Sequence, residues 1–271
     1  QLPGYDHKYR DWKKSGHGHM HLDDAIIQSC DVYFYRLAHE MGIDSMSNYL
    51  AYFGFGRKTG IDLNGESPGI LPSRSWKQRT RKLSWYPGET IITGIGQGYL
   101  LTTPLQLAAA TAAIANGGRY YKPRLVSTLQ ARDNESEQKP ILPSSQHIPI
   151  QDKHWQSIRE AMLGVVENTR GTAKRIANQH YRIAGKTGTA QVFSIKQDEE
   201  YNEEEISERM RDHALFIAFA PVENPKIAVA VIVENGSSGG SVAGPVAPEQ
   251  GQAAEGQGFV NLHWIKLREI Q

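Results

Sequence analysis

The stretch Arg182-Ile183-Ala184-Gly185-Lys186-Thr187-Gly188-Thr189-Ala190-Gln191-Val192-Phe193 decides both the fold and the site of this chain. Apolar and β-branched residues alternate there with small or polar ones, which predicts a β-strand. A lysine and a hydroxyl on a sheet edge can hold a carboxylate, while strand amides can pair with an extended peptide or face an oxyanion. The stretch is therefore a candidate site for an acyl substrate, although a surface strand with a solvated lysine has the same pattern.

A second K-T-G string shows that this triplet also occurs by chance. Lys58-Thr59-Gly60 follows the glycine-rich segment 54–57, which favours a turn. We therefore predict that the second copy is a loop without a catalytic role.

An upstream motif supports a catalytic role for the K-T-G copy at Lys186. Ser29-Cys30-Asp31 separates a helical run over 22–28 from an aromatic helical run that begins near 33. This position predicts a junction between two helices, where a short polar side chain can face a cleft. Serine acyltransferases of the penicillin-recognising type use S-x-x-K, then S-x-N or S-x-D, then K-T-G. The second and third elements occur here in that order.

On these motifs the chain resembles the transpeptidase domain of class B penicillin-binding proteins. Within that class it is similar to the elongation-type penicillin-binding protein 2 group of Gram-negative bacteria. The resemblance runs from about residue 1 to about residue 247. Supporting strings are Gln1-Leu2-Pro3-Gly4, Gly94-Ile95-Gly96-Gln97-Gly98-Tyr99, Arg211-Asp212-His213 and Ala218-Phe219-Ala220-Pro221.

The order of helices followed by strands predicts an α+β fold. Helices are expected at 22–28, 33–53, 105–115 and 152–168, and strands near 119–129 and at 181–193, 213–222 and 226–235. Residues 56–90 are expected to be irregular, 130–145 to form a surface hairpin or loop, and the acidic insert 197–211 to form a mobile helical loop. The resemblance implies an antiparallel sheet flanked by helices, the penicillin-binding protein/β-lactamase-like transpeptidase fold, here N-terminally incomplete.

The C-terminal residues depart from the family pattern. We expect 1–247 to be a partial transpeptidase domain and 248–271 to be an atypical, disordered tail, because glycine and proline interrupt any helix there. A truncated or frame-shifted reading frame and a natural variable tail both explain such an end.

Composition excludes some classes and leaves others open. A net charge of +1 lacks the excess of positive charge that is typical of nucleic-acid-binding proteins, and a single cysteine excludes an internal disulfide. With 39% hydrophobic residues the chain can bury a core, yet no segment reaches the apolar length of a membrane span. We expect only marginal stability, because the helix that carries the first motif is missing from the core.

The nucleophile is the missing part of the motif set. The S-x-x-K string in this chain, Ser136-Glu137-Gln138-Lys139, lies in a polar loop after the S-x-D element, so we reject it as the catalytic element. The resemblance implies a nucleophilic serine upstream of Gln1. We therefore expect that this chain alone cannot be acylated by a penicillin.

The resemblance implies three catalytic residues. Ser29 would relay a proton between the nucleophile, Lys186 and the leaving amine. Asp31 stands where many members of the family have asparagine, and it would position the lysine of the first motif or contact the substrate amide. Lys186 would supply positive potential and hold Ser29. A helix cap is the structural alternative for Ser29.

The resemblance also implies three substrate-binding residues on the same strand. Thr187 would hydrogen-bond the substrate carboxylate, and Gly188 would let the backbone approach closely. The Thr189 N–H would donate to the oxyanion. A surface position on the strand is the structural alternative for Thr187.

A metal hypothesis concerns the N-terminal segment. Asp11, His17 and Cys30 are zinc-ligand types within twenty residues, with His19 or His21 or an upstream residue as a fourth ligand. The zinc would be structural and would brace the Ser29 loop. A buried free cysteine beside solvent-facing His and Asp is the alternative.

The function that the resemblance implies is a peptidoglycan D,D-transpeptidase that cross-links stem peptides during cell-wall elongation. Its expected ligands are stem peptides ending in D-Ala-D-Ala and β-lactams, and its expected partners are membrane proteins of the elongation complex. The full-length form is expected in the periplasm, anchored to the inner membrane. A related serine β-lactamase or carboxypeptidase, and a non-catalytic peptidoglycan- or partner-binding module, remain as alternatives.

Overall fold

A computed structural model describes residues 8–126, 128–130, 138–140, 144–192 and 207–247 of the chain. The helices in this part are α1 (Leu22–Ile27), α2 (Asp31–Met41), α3 (Ile43–Tyr52), α4 (Arg74–Arg81), α5 (Pro87–Thr93), α6 (Pro104–Ala115) and α7 (Asp152–Glu167). The strands are β1 (Arg119–Tyr121), β2 (Thr128–Gln130), β3 (Gln138–Pro140), β4 (Ser145–His147), β5 (Ala184–Ala190), β6 (His213–Ala220) and β7 (Ile227–Val233). None of these described helices combines the length and the apolar character that a membrane crossing requires.

The main sheet is antiparallel and has the order β5-β6-β7. Its three strands confirm the strands predicted at 181–193, 213–222 and 226–235, and helices followed by this sheet confirm the α+β class. Strand β5 carries Lys186 opposite Ile217 and Gly188 opposite Leu215 on β6. Within the described residues no strand pairs with the other side of β5, and this edge without a strand partner is called the open edge.

The core lies between this sheet and two helices. Helix α6 packs against β7, and α7 packs against β5. Val165, Ile183 and Phe216 are almost completely buried in the cluster between them. Burial of these large apolar side chains supplies the main driving force for docking α7 onto the back of the site strand.

Helix α6 forms as its sequence predicts. The Thr103 hydroxyl accepts a hydrogen bond from the Gln106 amide, and the Gln106 side chain accepts one from the Thr103 N–H, which together make a capping box. Pro104 occupies the first helical position, where its missing N–H has no cost. The alanine-rich body is buried on most faces, as expected of a helix with little polar character.

The predicted continuous helix over 33–53 is wrong. Two helices, α2 and α3, meet at Gly42, whose φ of 72° is incompatible with a right-handed helix. Glycine adopts this conformation without a steric penalty, so the chain turns there although the hydrophobic pattern continues through it.

The prediction that 56–90 is irregular is also wrong in part. Helix α4 begins after Ser73, whose hydroxyl accepts a hydrogen bond from the Trp76 amide. Helix α5 begins at Pro87, in the position where proline favours a helix start. Buried Lys77 of α4 pairs with Glu89 of α5, so this tertiary contact joins the two short helices.

The region after α6 is more broken than the predicted strand over 119–129. Strand β1 ends at Tyr121 and pairs with β4, whereas β2 pairs with β3 in a separate ribbon. The pairing of Thr128 with Pro140 and of Gln130 with Gln138 agrees with a hairpin in 130–145, whose connecting residues 131–137 lie outside the described part.

Several expectations concern residues outside the described part. These are the tail 248–271, most of the acidic insert 197–211, and Ser136 of the rejected S-x-x-K string. Only the end of the insert is described, where residues Glu208–Met210 form a short 3₁₀ turn. The division into a domain over 1–247 and a tail stays a prediction.

Candidate active site

Ser29 lies at the predicted junction between α1 and α2. Its φ is 55°, a left-handed conformation that is uncommon for a residue other than glycine. The turn is closed by hydrogen bonds from the Ser29 N–H to the Ile26 carbonyl (3.3 Å) and from the Cys30 N–H to the Ala25 carbonyl (2.9 Å). Residues in such sparsely populated conformations cluster at active sites, which agrees with the role predicted for Ser29.

The two motifs meet, although 157 residues separate them in sequence. The Lys186 ammonium nitrogen donates to Ser29 Oγ at 2.7 Å and to the Thr187 carbonyl at 2.9 Å. The predicted association of the S-x-D element with the K-T-G strand is therefore present in the geometry. Lys186 cannot be a solvated surface lysine, because its nitrogen is held between a hydroxyl and a backbone carbonyl.

Burial changes the titration of this lysine. Desolvation lowers the pKa of Lys186 from 10.5 to about 8, against the opposing effect of the Asp31 carboxylate. Burial also raises the pKa of Asp31, while a hydrogen bond from the Trp12 amide acts in the other direction. A lysine that titrates near neutrality, next to a serine hydroxyl, can both give and take a proton.

The open edge of β5 carries the residues that are predicted to bind substrate. In an extended strand the N–H and C=O of one residue point to the same side. The Thr187 carbonyl accepts from Lys186, and the Thr189 carbonyl accepts from the Gln97 side chain at 2.7 Å, so both residues face away from β6. The Thr189 N–H then faces the cleft, in the direction that its proposed role as an oxyanion donor requires.

Close packing behind β5 fixes the position of Gly188. A Cβ atom on Gly239 would stand 2.4 Å from the Gly188 carbonyl oxygen and 3.0 Å from its nitrogen. Gly239 opens a short π-helical turn, Gly239–Ala243, that packs against β5 and β6. The backbone of the K-T-G strand is thus supported directly by the backbone of this turn.

Trp12 is a site residue that the motifs did not identify. Its indole N–H donates to the carbonyls of Gln28 (3.1 Å) and Ser29 (2.9 Å), and its backbone N–H donates to Asp31 Oδ2 (3.1 Å). These contacts satisfy carbonyls at the end of α1 and hold the Ser29 turn in place. A tryptophan in an otherwise polar segment was the only hint in the sequence.

Gln97 and Thr172 are two further contacts of the strand that were not predicted. The Gln97 side chain donates to the Thr189 carbonyl and accepts from the Gln191 N–H at 3.4 Å, so it pairs with β5 as a neighbouring strand would. The Thr172 hydroxyl lies 3.0 Å from the Thr187 hydroxyl. Gln97 stands between glycines in the 94–99 string, but nothing in the sequence distinguishes Thr172.

The three predicted metal ligands are brought together. Asp11, His17 and Cys30 offer donor atoms that all lie within 4.8 Å of one another. Asp11 Oδ1 is 3.2 Å from His17 Nδ1, and Asp11 Oδ2 is 3.2 Å from Cys30 Sγ. Ligand atoms around a tetrahedral zinc are about 3.3–3.6 Å apart, given zinc–ligand bonds of about 2.0–2.3 Å. The donor types therefore fit zinc, and the two contacts of Asp11, one from each carboxylate oxygen, are close to this spacing.

Burial supports the same interpretation of the cluster. The side chains of His17 and Asp11 are only 2% and 3% exposed, which contradicts the alternative of solvent-facing groups. Burial raises the pKa of the Cys30 thiol, and the Asp11 carboxylate adds to this effect. Burial also acts to raise the pKa of Asp11, but hydrogen bonds from Lys13, Cys30 and others outweigh it and lower that pKa overall. His19 and His21 are exposed and lie outside the cluster.

The second K-T-G copy is a loop, as predicted. Residues 57–60 have no regular structure, and the Glu66 carboxylate accepts hydrogen bonds from the backbone N–H groups of Thr59 and Gly60. The loop is thus held by a local side chain and lies on no strand. The two copies differ in what surrounds them, which a three-residue string does not contain.

Comparison with known proteins identifies relatives of the whole described part. Residues 1–250 match the penicillin binding protein transpeptidase domain family. Peptidoglycan D,D-transpeptidase MrdA of Acinetobacter baumannii is 51% identical over 243 residues, which cover 89% of this chain and 36% of that protein. The solved structure of Pseudomonas aeruginosa PBP2 in complex with WCK 5153 is 44% identical with a TM-score of 0.81, over 96% of this chain and 55% of that one.

A second solved structure has the same fold. The PBP2 of Helicobacter pylori, in its complex with MreC, is 36% identical with a TM-score of 0.75, over 93% of this chain and 43% of that one. The chain spans well under half the length of the curated relatives that it matches. The resemblance to elongation-type class B proteins is confirmed, and the chain belongs to the penicillin-binding protein transpeptidase domain family.

Proposed function

We propose that this chain forms the substrate-holding part of a peptidoglycan D,D-transpeptidase that cross-links stem peptides during cell-wall elongation. The observation that carries the proposal is the 2.7 Å contact between Lys186 Nζ and Ser29 Oγ beside an open strand edge. The relatives named above as D,D-transpeptidase MrdA and as PBP2 support the same activity. They favour a transpeptidase over a β-lactamase or a carboxypeptidase.

Each group of the site has a role in the proposed acyl transfer. A serine hydroxyl from an S-x-x-K element attacks the carbonyl of the penultimate D-alanine while its proton passes to the lysine of that element, and the amide bond to the terminal D-alanine breaks. The leaving amine takes a proton that Ser29 delivers, and Lys186 restores that proton to Ser29 because its pKa lies near neutrality. The amine of an acceptor stem peptide then attacks the acyl-serine ester and gives its proton back to Lys186 through Ser29, and the serine leaves with the proton that the S-x-x-K lysine held. The Thr189 N–H donates to the oxyanion of the tetrahedral intermediate.

The substrate is held along the same strand. Its terminal carboxylate binds near the Lys186 ammonium and the Thr187 hydroxyl, which give charge attraction and a hydrogen bond. The peptide backbone pairs with the open edge of β5, and Gly188 lets it approach closely. β-Lactams carry a carboxylate and an acyl group at similar positions, so we expect them to bind in the same cleft.

Location and partners follow from the relatives. The Helicobacter pylori structure contains PBP2 with MreC, so we propose a protein of the MreC type as a partner of the full-length form. Cross-linking of peptidoglycan takes place outside the cytoplasmic membrane. We therefore propose a periplasmic location with an anchor in the inner membrane.

A structural zinc at Asp11, His17 and Cys30 is part of the proposal. Bound zinc would deprotonate the Cys30 thiol and tie the segment before α1 to the first turn of α2, and it would take no part in acyl transfer. Metal analysis of the purified protein tests this. We expect about one zinc per chain, which Cys30→Ser removes and which His39→Ala, a change at an exposed histidine on α2, retains. Metal-free wild-type protein would end the proposal.

The activity is tested on the product of the complete gene in detergent-solubilised membranes. A pentapeptide-bearing peptidoglycan polymer is supplied as substrate, and released D-alanine and cross-linked dimers are both measured. We expect both products, and their loss on Ser29→Ala or Lys186→Ala. D-alanine release without dimers would indicate a carboxypeptidase. The absence of both products would favour the non-catalytic binding module.

A further inference from the structure

Thr172 contacts the substrate-binding Thr187 from outside strand β5. We propose that Thr172 is a positioning residue, whose hydroxyl donates to Thr187 and so directs the Thr187 proton to the terminal carboxylate of the acyl donor. This inference rests on the proposed function of the cleft. It gives a role to the turn at 168–173, which carries none of the family motifs named above.

The direction of the hydrogen bond follows from the chemistry of the ligand. The two hydroxyl oxygens lie 3.0 Å apart, and either can be the donor in the free protein. Each hydroxyl has one proton and two lone pairs, whereas an ionised carboxylate can only accept. When a carboxylate binds Thr187, the single Thr187 proton must point to the ligand. The remaining bond between the two threonines is then donated by Thr172.

Thr172 is held firmly enough to set this direction. The turn that carries it is closed by bonds from the Gly171 N–H to the Asn168 carbonyl (2.8 Å) and from the Ala173 N–H to the Val165 carbonyl (2.9 Å). The Thr172 carbonyl lies against Gly240, where a Cβ atom would stand 2.4 Å from it. These hydrogen bonds and this close backbone contact fix the position of Thr172 relative to β5.

The rotamer of Thr187 is constrained in the same way. A Cβ atom on Gly240 would stand 3.4 Å from Thr187 Cγ2, so the methyl group faces that glycine while the hydroxyl faces Thr172. β-Branched side chains have few accessible rotamers, and this contact favours one of them. Successive hydrogen bonds also polarise one another, which strengthens the bond from Thr187 to the ligand.

The inference predicts a preference that a general packing role would not give. A carboxylate requires a donor from Thr187, whereas a carboxamide can either accept or donate. Thr172 should therefore favour a peptide with a free terminal carboxylate over the same peptide with a terminal carboxamide. The class of ligand is an extended acyl peptide that ends in a carboxylate.

The test compares two ligands on three forms of the 271-residue chain. Amide resonances of β5 are followed by NMR during titration with diacetyl-L-Lys-D-Ala-D-Ala and with its C-terminal carboxamide. We expect Thr172→Val, which keeps the shape but removes the hydroxyl, to weaken carboxylate binding about 3- to 10-fold and carboxamide binding less than about 2-fold. Thr172→Ser, which keeps the hydroxyl, should retain the wild-type preference.

Other outcomes overturn the inference. If Thr172→Val weakens the binding of both peptides equally, Thr172 has a packing role. If Thr172→Ser loses the preference for the carboxylate peptide, the methyl group of Thr172 is responsible for that preference. If Thr172→Val does not fold, Thr172→Ala replaces it and is made alone and together with Thr187→Val, and independent losses from these two changes would contradict a shared link. Wild-type chain that binds neither peptide would overturn the proposed function, and the role of Thr172 with it.

Discussion

Replacing Lys186 by methionine tests the burial of the central ammonium through stability. Burial lowers the pKa of Lys186 from 10.5 to about 8, so keeping the protonated lysine in the fold costs about 3 kcal/mol. Methionine removes this cost but also loses the hydrogen bonds to Ser29 Oγ and to the Thr187 carbonyl, each worth about 1 kcal/mol. At pH 7 we expect Lys186→Met to be more stable than wild type by about 1 kcal/mol.

The sign of this difference depends on pH in a defined window. Below pH 8 the lysine is protonated in both the folded and the unfolded state, and the full cost is present. Between about pH 8 and 10.5 the folded state loses its proton first, so wild type gains stability relative to the variant. Above that window only the lost hydrogen bonds remain, and the variant should be less stable by about 2 kcal/mol.

Urea unfolding followed by circular dichroism at several pH values between 7 and 10.5 measures the difference. Lys153→Met on α7 is the matched control, because water surrounds that exposed side chain, and its effect should not change sign. A pH-independent difference between wild type and Lys186→Met would refute the buried ammonium and the proton exchange with Ser29 that depends on it.

Three further substitutions test the support of the site. Gly239→Ala places a methyl group 2.4 Å from a carbonyl of β5, so we expect at least about 10-fold weaker binding of diacetyl-L-Lys-D-Ala-D-Ala; Gly244→Ala, whose nearest neighbour would be 3.5 Å away, should have little effect, and equal effects would contradict the close contact. Phe216→Ala, at a side chain that is 0% exposed, should lower the free energy of unfolding by about 3–5 kcal/mol in urea, and a loss below about 1 kcal/mol would be inconsistent with its position. Trp12→Phe removes the indole donor to the turn before α2 and should weaken binding of the same tripeptide with little change in the far-ultraviolet spectrum, whereas unchanged binding would exclude a positioning role.

The site motifs could be predicted from sequence because their chemistry is local. A serine between two helical runs and a lysine within a strand pattern each define a backbone environment over a few residues. The resemblance then supplied the long-range pairing of Ser29 with Lys186, which no local pattern contains. The burial of α6 was equally predictable, since its alanine-rich sequence has no polar face.

Contacts that depend on tertiary packing were not predictable in this way. The hydrogen bonds from Trp12 to the Ser29 turn and between Thr172 and Thr187 join segments whose sequences carry no pattern that predicts these contacts. The break at Gly42 was missed because hydrophobic periodicity continues across it, although the backbone there has a positive φ. Helices α4 and α5 were missed because the buried Lys77–Glu89 pair, and not an apolar stripe, joins them.

Acylation by a fluorescent penicillin tests the central claim most directly, that Ser29 and Lys186 form the proton-transfer half of an acyl-transfer site. The second-order rate constant is measured on the product of the complete gene, for wild type and for Ser29→Ala. We expect stoichiometric, denaturation-resistant labelling of wild type and a rate about 10²- to 10⁴-fold lower for the variant, with unchanged thermal unfolding. An unchanged acylation rate in folded Ser29→Ala would contradict the role of this pair.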